Sequence, residues 1–385
     1  MKERGLLHFR VLICLAIGSM TLLGIWWTSV KGTELEQVDL SKGVTYENGY
    51  INLNGNSVIM KESANSTDTN YLCNIYLDTN RNSVIDEGEE QPVSIDGDID
   101  IHSTTPIYGI YKQRSVTPLS ITVLDGVYSV IYGVYDGELD TGDSEENACR
   151  INVQEAQILS CISAARNSKI TAASTAVDVA VTGGIINVVQ GVVGGQIISG
   201  SSQTAVQIAI TGNSSLPAGG VFEGVSEGAN IKGDIAIKVS PDTTSEINYL
   251  YVIKNGVTVE GSVDASINHL SVKKVAFSAY TGCKVTGGMT FASGSDTYFS
   301  QLYLIEMSNV TGDVSASIYG KMQQEDSDDS NTQIRLLRNG IVGGNVDIDL
   351  KDGLFGQIYA VENANVKAIL IYYLRLGPIH RLCGQ

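Results

Sequence analysis

One short pattern recurs through most of this chain: an apolar residue, any residue, a glycine, and then alternating apolar positions. From Gly233 onward the central glycines of successive copies are 28, 26, 25 and 32 residues apart, at 261, 287, 312 and 344. Self-similarity at such a period is typical of stacked repeat architectures. The copies are IDGDIDI (95–101), IKGDIAIKV (231–239), VEGSVDASI (259–267), VTGGMTFAS (285–293), VTGDVSASI (310–318), VGGNVDIDL (342–350) and VKAILIYYL (366–374), in which Ala368 stands at the glycine position.

A second element lies between the glycine motifs and repeats with them. The middle of the chain, 163–230, is richer in small residues but keeps the apolar alternation. The coincidence of two elements over more than 200 residues indicates one repeat family. The copies are PIYGIY (106–111), SVIYGVYDG (129–137), INYLYVIKNG (247–256), SQLYLIEMSN (300–309), TQIRLLRNG (332–340) and GQIYAVENAN (356–365).

Alternation with a period of two predicts strands, and no helical pattern separates them. A unit of about 25 residues cannot bury its own core and must stack on its neighbours. We therefore predict an all-β fold, a single-stranded parallel β-helix or solenoid with coils of ~25 residues, stacked ~4.8 Å apart, and a small N-terminal β cap. Glycine would open the corners, and Asn230, Asn309 and Asn365 would take left-handed corner conformations. Antiparallel sandwich domains, the alternative, need ~100 residues each and fit the short period poorly.

The sequence predicts four segments in the chain. Residues 1–32 join a basic start to an uncharged stretch, 11–30, and are expected to be a cleaved signal peptide or an uncleaved membrane anchor. Residues 33–94 form the predicted cap and 95–374 the solenoid. Residues 375–385 are an atypical basic tail, expected to be either an unusual cap or the result of an incomplete array.

Over about 95–374, this chain resembles the adhesin-like β-helical surface proteins of bacteria. The resemblance lies in an acidic repeat array that is rich in Gly, Asn and Thr and follows a predicted targeting segment. The resemblance implies a right-handed β-helix at the cell surface or outside the cell, serving in attachment or as a stalk. Its implied partners are glycans or host and cell-surface proteins. Some β-helices are polysaccharide lyases or hydrolases, so a carbohydrate-active enzyme is the alternative function, and a self-associating structural protein is a third.

Charge and motifs narrow the function classes. The formal net charge of −17 argues against nucleic acid as a partner, because binding to phosphate requires clustered Lys and Arg. Membrane contact is expected only through the N-terminal segment. No hydrolase, metalloprotease or phosphate-loop motif occurs, and no motif surrounds His102, His269 or His380, of which His269 is expected on a strand. We therefore expect a non-enzymatic protein.

Residues 78–89, DTNRNSVIDEGE, match a twelve-position calcium loop. Calcium prefers hard oxygen ligands at alternate positions and a final bidentate glutamate. Ser83 replaces the usual turn glycine, and the flanks resemble strands, so we expect a calcium ion that stiffens the cap; the alternative is a solvated Asp/Asn-rich turn. The predicted ligands are Asp78, Asn80, Asn82, the Val84 carbonyl, Asp86 and Glu89.

Two acidic segments, 138–146 and 325–329, are expected to be solvated insertion loops rather than ion sites, and the second lies where the glycine spacing lengthens to 32. Outside the targeting segment there are five cysteines and no CxxC pair, which argues against structural zinc. Cys149 and Cys161 are expected either to form a disulfide or to be two small buried side chains.

Tyrosines recur at matching places in the second repeat element, and Arg335 takes the same place in its own coil. Aligned coils would turn them into a ladder along one face. Such a ladder could bind a sugar or a protein partner, or it could only stabilise the solenoid by stacking. The predicted ladder comprises Tyr108, Tyr132, Tyr251, Tyr303 and Tyr359.

Overall fold

The computed structural model confirms an all-β parallel solenoid, of about nine turns. Equivalent residues lie about 28 residues apart, slightly more than the ~25 expected. The spacing varies along the chain: Val177 pairs with Val206, 29 residues on, Met289 with Val314, 25 residues on, and Val314 with Val346, 32 residues on. The structure describes residues 35–62, 73–93, 105–200, 204–319, 321–322, 333–351, 357–373 and 381–383.

Five short strands and one 3-10 helix, Leu40–Lys42, precede the first full turn. These strands are β1 (Glu36–Gln37), β2 (Thr45–Glu47), β3 (Tyr50–Asn52), β4 (Val58–Glu62) and β5 (Cys73–Leu77). The solenoid strands are β6 (Pro106–Tyr111), β7 (Gln113–Ser115), β8 (Leu119–Val123), β9 (Val127–Tyr135), β10 (Glu138–Asp140), β11 (Cys149–Val153), β12 (Gln157–Thr171), β13 (Val177–Ile198), β14 (Thr204–Ser215), β15 (Gly220–Ser226), β16 (Asn230–Lys232), β17 (Asp234–Pro241), β18 (Ser245–Lys254), β19 (Thr258–Glu260), β20 (Val263–Ile267), β21 (Leu270–Tyr280), β22 (Lys284–Val285), β23 (Met289–Ser293), β24 (Tyr298–Phe299), β25 (Gln301–Glu306), β26 (Asn309–Val310), β27 (Val314–Ile318), β28 (Lys321–Met322), β29 (Gln333–Arg338), β30 (Ile341–Leu350), β31 (Gln357–Glu362), β32 (Asn365–Tyr373) and β33 (Arg381–Cys383).

Each turn contributes to three stacks of parallel strands. Stack A contains β8, β11, β17, β20, β23 and β27; stack B contains β6, β9, β15, β18, β21, β25, β29 and β31; and stack C contains β7, β10, β16, β19, β22 and β26. Some long strands bend from one stack into the next. β13 pairs in all three, so its 22 residues form most of one turn.

Rows of inward-facing aliphatic side chains form the core. On stack A, Ile121 pairs with Ile151, then Val179, Ile208 and Ile237, and all five are essentially inaccessible to solvent. A single hydrophobic cluster runs from the cap to the last turns. Burying one such side chain contributes roughly 1.5–3 kcal/mol to the free energy of unfolding. A single turn without neighbours on both sides would leave these side chains exposed to water and lose most of that contribution.

The motif glycines form the corner between stacks C and A. The amide of Gly287 donates to the carbonyl of Gly261 at 2.9 Å, and the amide of Gly312 donates to that of Gly287 at 3.0 Å. A Cβ at Gly312 would lie 2.6 Å from the Gly287 carbonyl oxygen. Of the five motif glycines only Gly233 has a left-handed φ, 123°, so close backbone approach rather than φ requires glycine at the others.

The left-handed corner lies elsewhere, between stacks B and C. Asn255, Asn339 and Asn363 adopt φ of 59°, 51° and 50° there. The expectation for Asn230, Asn309 and Asn365 is therefore wrong: they begin strands β16, β26 and β32, and none has a positive φ. The residue type was right, because Asn tolerates this conformation, but the corner precedes the expected positions.

The cap joins the solenoid through mixed pairing. β2–β3 and β4–β5 are antiparallel, whereas β3 pairs in parallel with β6 and β4 with β8. The cap therefore occupies the first edge of stacks A and B, which would otherwise be open to pairing with another chain.

Several predicted segments lie outside the described residues. These are the targeting segment 1–32, the first glycine motif at 95–101 and the acidic segment 325–329; of the tail 375–385 only β33 is described. The chain divides into a unit Met1–Glu36 and a unit Gln37–Gln385, which carries the solenoid. Within the described residues, no helix is long and apolar enough to cross a membrane.

Candidate functional site

The five ladder tyrosines lie in one register row on the outward face of stack B. Tyr108 pairs with Tyr132, and three turns of smaller residues separate Tyr132 from Tyr251. The row continues through Phe277 to Tyr303, then through Arg335 to Tyr359. We call this row the tyrosine ladder.

Stacking rather than open ring faces dominates the ladder. The centroids of Tyr108 and Tyr132 are 5.1 Å apart with 14° between the ring planes, and Tyr251 lies 5.5 Å from Phe277 at 7°. Because neighbouring rings come from adjacent turns, their faces meet along the solenoid axis. Tyr303 and Phe277 are buried, and the other ladder tyrosines are half-buried. The ladder therefore offers fewer free ring faces for stacking with a sugar than isolated tyrosines would.

Burial makes three of the ladder phenols weaker acids. It raises the pKa of Tyr132 and of Tyr251 to about 12, and it also raises the pKa of Tyr108. These three hydroxyls stay protonated at physiological pH, as an ordinary tyrosine does, and can both donate and accept a hydrogen bond.

A second, interrupted row of tyrosines runs beside the ladder, three residues further along β6, β9 and β21. Tyr111 pairs with Tyr135, at 5.7 Å between centroids, and Tyr280 packs on Phe277 at 4.3 Å. With Tyr50 of the cap, the two rows form a cluster of five half-buried tyrosines at the N-terminal turns. Its members are Tyr50, Tyr108, Tyr111, Tyr132 and Tyr135, which we call the tyrosine patch.

Three members of this patch, Tyr50, Tyr111 and Tyr135, were not predicted from the sequence. Tyr111 and Tyr135 end the repeated YGIY and YGVY sequences, so the recurrence of a tyrosine at a fixed offset of three was the available signal. Tyr50 carries no such signal, because it reaches the patch from the antiparallel cap.

Arg335 replaces a ring in the ladder without interrupting the stack. Its guanidinium lies 5.6 Å from the Tyr303 ring centre and 4.9 Å from that of Tyr359. Its Nη1 donates to Glu362 at 2.6 Å. A planar cation between two π faces gains cation–π energy that a lysine reproduces only in part.

The interval between Tyr132 and Tyr251 is polar, with Ser163, Gln190 and Glu223 in the ladder positions. Glu223 accepts from Gln190 at 2.8 Å and from Lys254 at 2.5 Å. The Lys254 ammonium also lies 4.6 Å from the Tyr251 ring centre. An ion pair and a cation–π contact therefore link the polar interval to Tyr251 through Lys254.

The candidate calcium loop folds into a compact turn. The amides of Asn80 and Asn82 both donate to Asp86 Oδ2, at 2.8 and 2.6 Å, so three of the predicted ligand side chains converge. Asp78 is almost wholly buried and accepts from the backbone amides of Asn82 and Ser83, each at 3.1 Å. Burial raises the Asp78 pKa.

The remaining predicted ligands lie around this turn. Glu89 accepts from the amide and hydroxyl of Thr79, at 2.7 and 2.5 Å, and hydrogen bonding to that hydroxyl lowers its pKa. Val84 is exposed. Within the described residues no three His, Cys, Asp or Glu side chains are gathered as a metal group. The oxygen-rich donor set fits calcium, and the ion stays a prediction.

Ser83 takes over the backbone role of the missing turn glycine. Its φ is 66°, in the left-handed region, and its hydroxyl accepts a hydrogen bond from Thr122 at 2.8 Å. The hydrogen bond to stack A offsets the cost of a left-handed L-residue, roughly 1–2 kcal/mol.

The remaining candidate groups are the cysteines and the histidines. Cys73, Cys149, Cys161 and Cys283 are free thiols, and burial raises the pKa of Cys149 to about 12. His269 lies in a turn with φ of 49°, so its expected place on a strand is wrong; its Nδ1 bonds the Pro241 carbonyl at 2.7 Å. His102 and His380 lie outside the described residues.

The comparisons with known proteins add no functional information. No protein-family model matches the chain, and searches of curated proteins and of solved structures give no significant match. The β-solenoid fold is compatible with both enzymes and structural proteins.

Proposed function

We propose that this chain is an exported, non-enzymatic surface protein that binds a carbohydrate chain along stack B. The observation that supports this is the tyrosine patch: five phenol rings lie together on one outward face, with centroids of adjacent rings 4.7–5.7 Å apart. Interacting tyrosines of this kind form a rigid surface with an apolar body and a polar edge.

The solenoid gives the patch the geometry of an extended receptor. Tyr108 and Tyr132 place phenol hydroxyls on two adjacent turns, ~4.8 Å apart along the axis, which suits a polymer with regularly spaced hydroxyls. Because the ring faces stack on each other, recognition acts through hydroxyl edges. Ordering costs are low, since the phenols are already fixed by their neighbours.

Replacing tyrosine by phenylalanine tests this, because it keeps ring stacking and removes hydroxyls. The full-length protein and a Tyr108→Phe/Tyr132→Phe variant would be screened on a glycan array and on intact cells. We expect the variant to lose binding at least about fivefold, as two hydrogen bonds are lost, with an unchanged melting temperature. Tyr319→Phe, away from the patch, is the control. Unchanged binding by the double variant would refute recognition and leave the ladder a stabilising stack.

We also propose that the N-terminal segment directs export of the chain from the cell. A second proposal is that calcium rigidifies the cap. The first rests on the basic and apolar pattern of 1–32, the second on the oxygen-rich loop 78–89. Cell fractionation and calcium titration test them separately. A polysaccharide lyase or hydrolase on this fold remains the alternative, and release of sugar products from the bound polysaccharide would favour it.

A further inference from the structure

A cleft of about 360 Å³ opens on the outward face of stack A, a volume within the range of ~300–1,000 Å³ usual for ligand sites. Its floor contains Leu119, Ser120 and Arg150. Residues 80–82 of the candidate calcium loop form one wall, and 145–147 of the acidic segment and its flank form the other. We call it the stack A cleft.

An ion pair ties the two walls together. Arg81 Nε and Nη2 lie 2.5 and 3.1 Å from the two carboxylate oxygens of Glu146. Such a two-point contact fixes direction as well as distance. The charge of Arg81 is therefore matched within the protein, and the cleft keeps its shape without a ligand.

Arg150 on the floor is only partly matched. Its Nε lies 3.5 Å from Asp178, and 42% of its side chain is exposed. Asp178 also accepts from Asn147 at 2.8 Å, so its carboxylate is shared between Asn147 and Arg150. Among the described residues, nothing bonds the two terminal nitrogens of Arg150.

Ser120 adds an unused polar group beside Arg150. The two residues pair directly across adjacent turns of stack A. Ser120 is 3% exposed, and its buried hydroxyl has no partner among the described residues. A buried polar atom without a partner costs about 1–3 kcal/mol, and binding sites are one place where such atoms persist.

We infer that the stack A cleft binds a small molecule through its carboxylate, held by the terminal nitrogens of Arg150 with Ser120 as a second donor. The planar guanidinium matches the two oxygens of a carboxylate. Asn82 and Glu145 line the walls, where they face the rest of the ligand. Hydroxyl groups would identify a sugar acid, and an ammonium group an amino acid. This site is independent of the tyrosine patch.

Titration calorimetry on the full-length protein distinguishes a sugar acid from an amino acid as the ligand, with galacturonate, alanine and neutral galactose as probes. We expect saturable binding of galacturonate or alanine, and none of galactose. Arg150→Gln should weaken binding about tenfold or more. Arg114→Gln is the matched control, because Arg114 is 44% exposed in its side chain and lies on stack C.

Ser120→Ala is a second test variant that should fold normally, because the hydroxyl it removes has no hydrogen-bond partner among the described residues. We expect it to melt no lower than the parent and to bind the carboxylate several-fold more weakly. Galacturonate binding identifies a sugar acid and alanine binding an amino acid, and either supports the site. Binding of galactose as tight as galacturonate, full binding by Arg150→Gln, or no binding of either carboxylate would overturn it.

Discussion

The amide of Gly287 donates to the carbonyl of Gly261 one turn earlier at 2.9 Å, and a Cβ on Gly287 would lie 2.6 Å from that oxygen. The hydrogen bond and the missing side chain are two parts of one requirement. Consecutive corners can approach to hydrogen-bonding distance only where neither carries a side chain in the gap.

Gly287→Ala should therefore destabilise the solenoid by about 3 kcal/mol, since the added Cβ would clash with the Gly261 backbone as well as with the Ser262 hydroxyl of the preceding turn. Gly228→Ala is the control: its φ is 71°, but a Cβ there meets no atom within 4 Å, so about 1 kcal/mol is expected. Denaturant unfolding of both variants measures the difference. Equal losses would contradict the close-approach explanation.

The glycine repeat predicted this corner from the sequence, but not its reason. A recurring glycine indicates that a side chain is excluded, and a single sequence does not say whether φ or crowding excludes it. Similarly, the tyrosine repeat predicted the ladder's register, because parallel coils align equivalent positions. Stacking of the rings depends on the distances between turns, and the position of Tyr50 beside Tyr108 depends on the antiparallel cap. Neither could be predicted from the repeat period.

Arg335 should stabilise the last described turns through its position between Tyr303 and Tyr359. Arg335→Ala removes two cation–π contacts and the bond to Glu362, so we expect a loss of about 2 kcal/mol. Arg335→Lys keeps the charge but loses the planar contact, and should cost about half as much. Arg335→Phe should stay close to the parent because it continues the row of rings. Thermal unfolding ranks the three, and a lysine variant as stable as the parent would contradict a stacking role.

Calcium should stabilise the protein through loop 78–89. At a calcium concentration one hundred times the dissociation constant, the gain in unfolding free energy would be about 2.7 kcal/mol. Glu89→Gln removes the charge of the predicted bidentate ligand and should abolish the gain. Glu87→Gln changes an exposed loop residue outside the ligand set and should leave it intact. A melting temperature that is the same in calcium and in chelator would contradict the site.

High pH should destabilise the tyrosine ladder. Burial raises the pKa of Tyr132 in the fold to about 12 from an ordinary value of 10.0, so the folded state holds its proton more tightly than the unfolded chain. The stabilisation is fully present below pH 10.0 and is lost as the pH rises toward about 12. Tyr132→Phe should flatten this loss in unfolding experiments across that range. A parent stability that does not fall there would contradict the burial of the phenol.

Cys149 and Cys161 should remain reduced in the folded protein. Cys149 is fully buried on stack A, and burial raises its pKa to about 12, so little thiolate is present at neutral pH. Cys161 lies half-exposed on stack B, and its pKa is raised by burial as well. Because thiolate is the reactive form, alkylation followed by mass spectrometry should label Cys161 slowly and Cys149 only after unfolding. A pair of cysteines that resists labelling in denaturant until reductant is added would show that they are bonded, and would contradict this prediction.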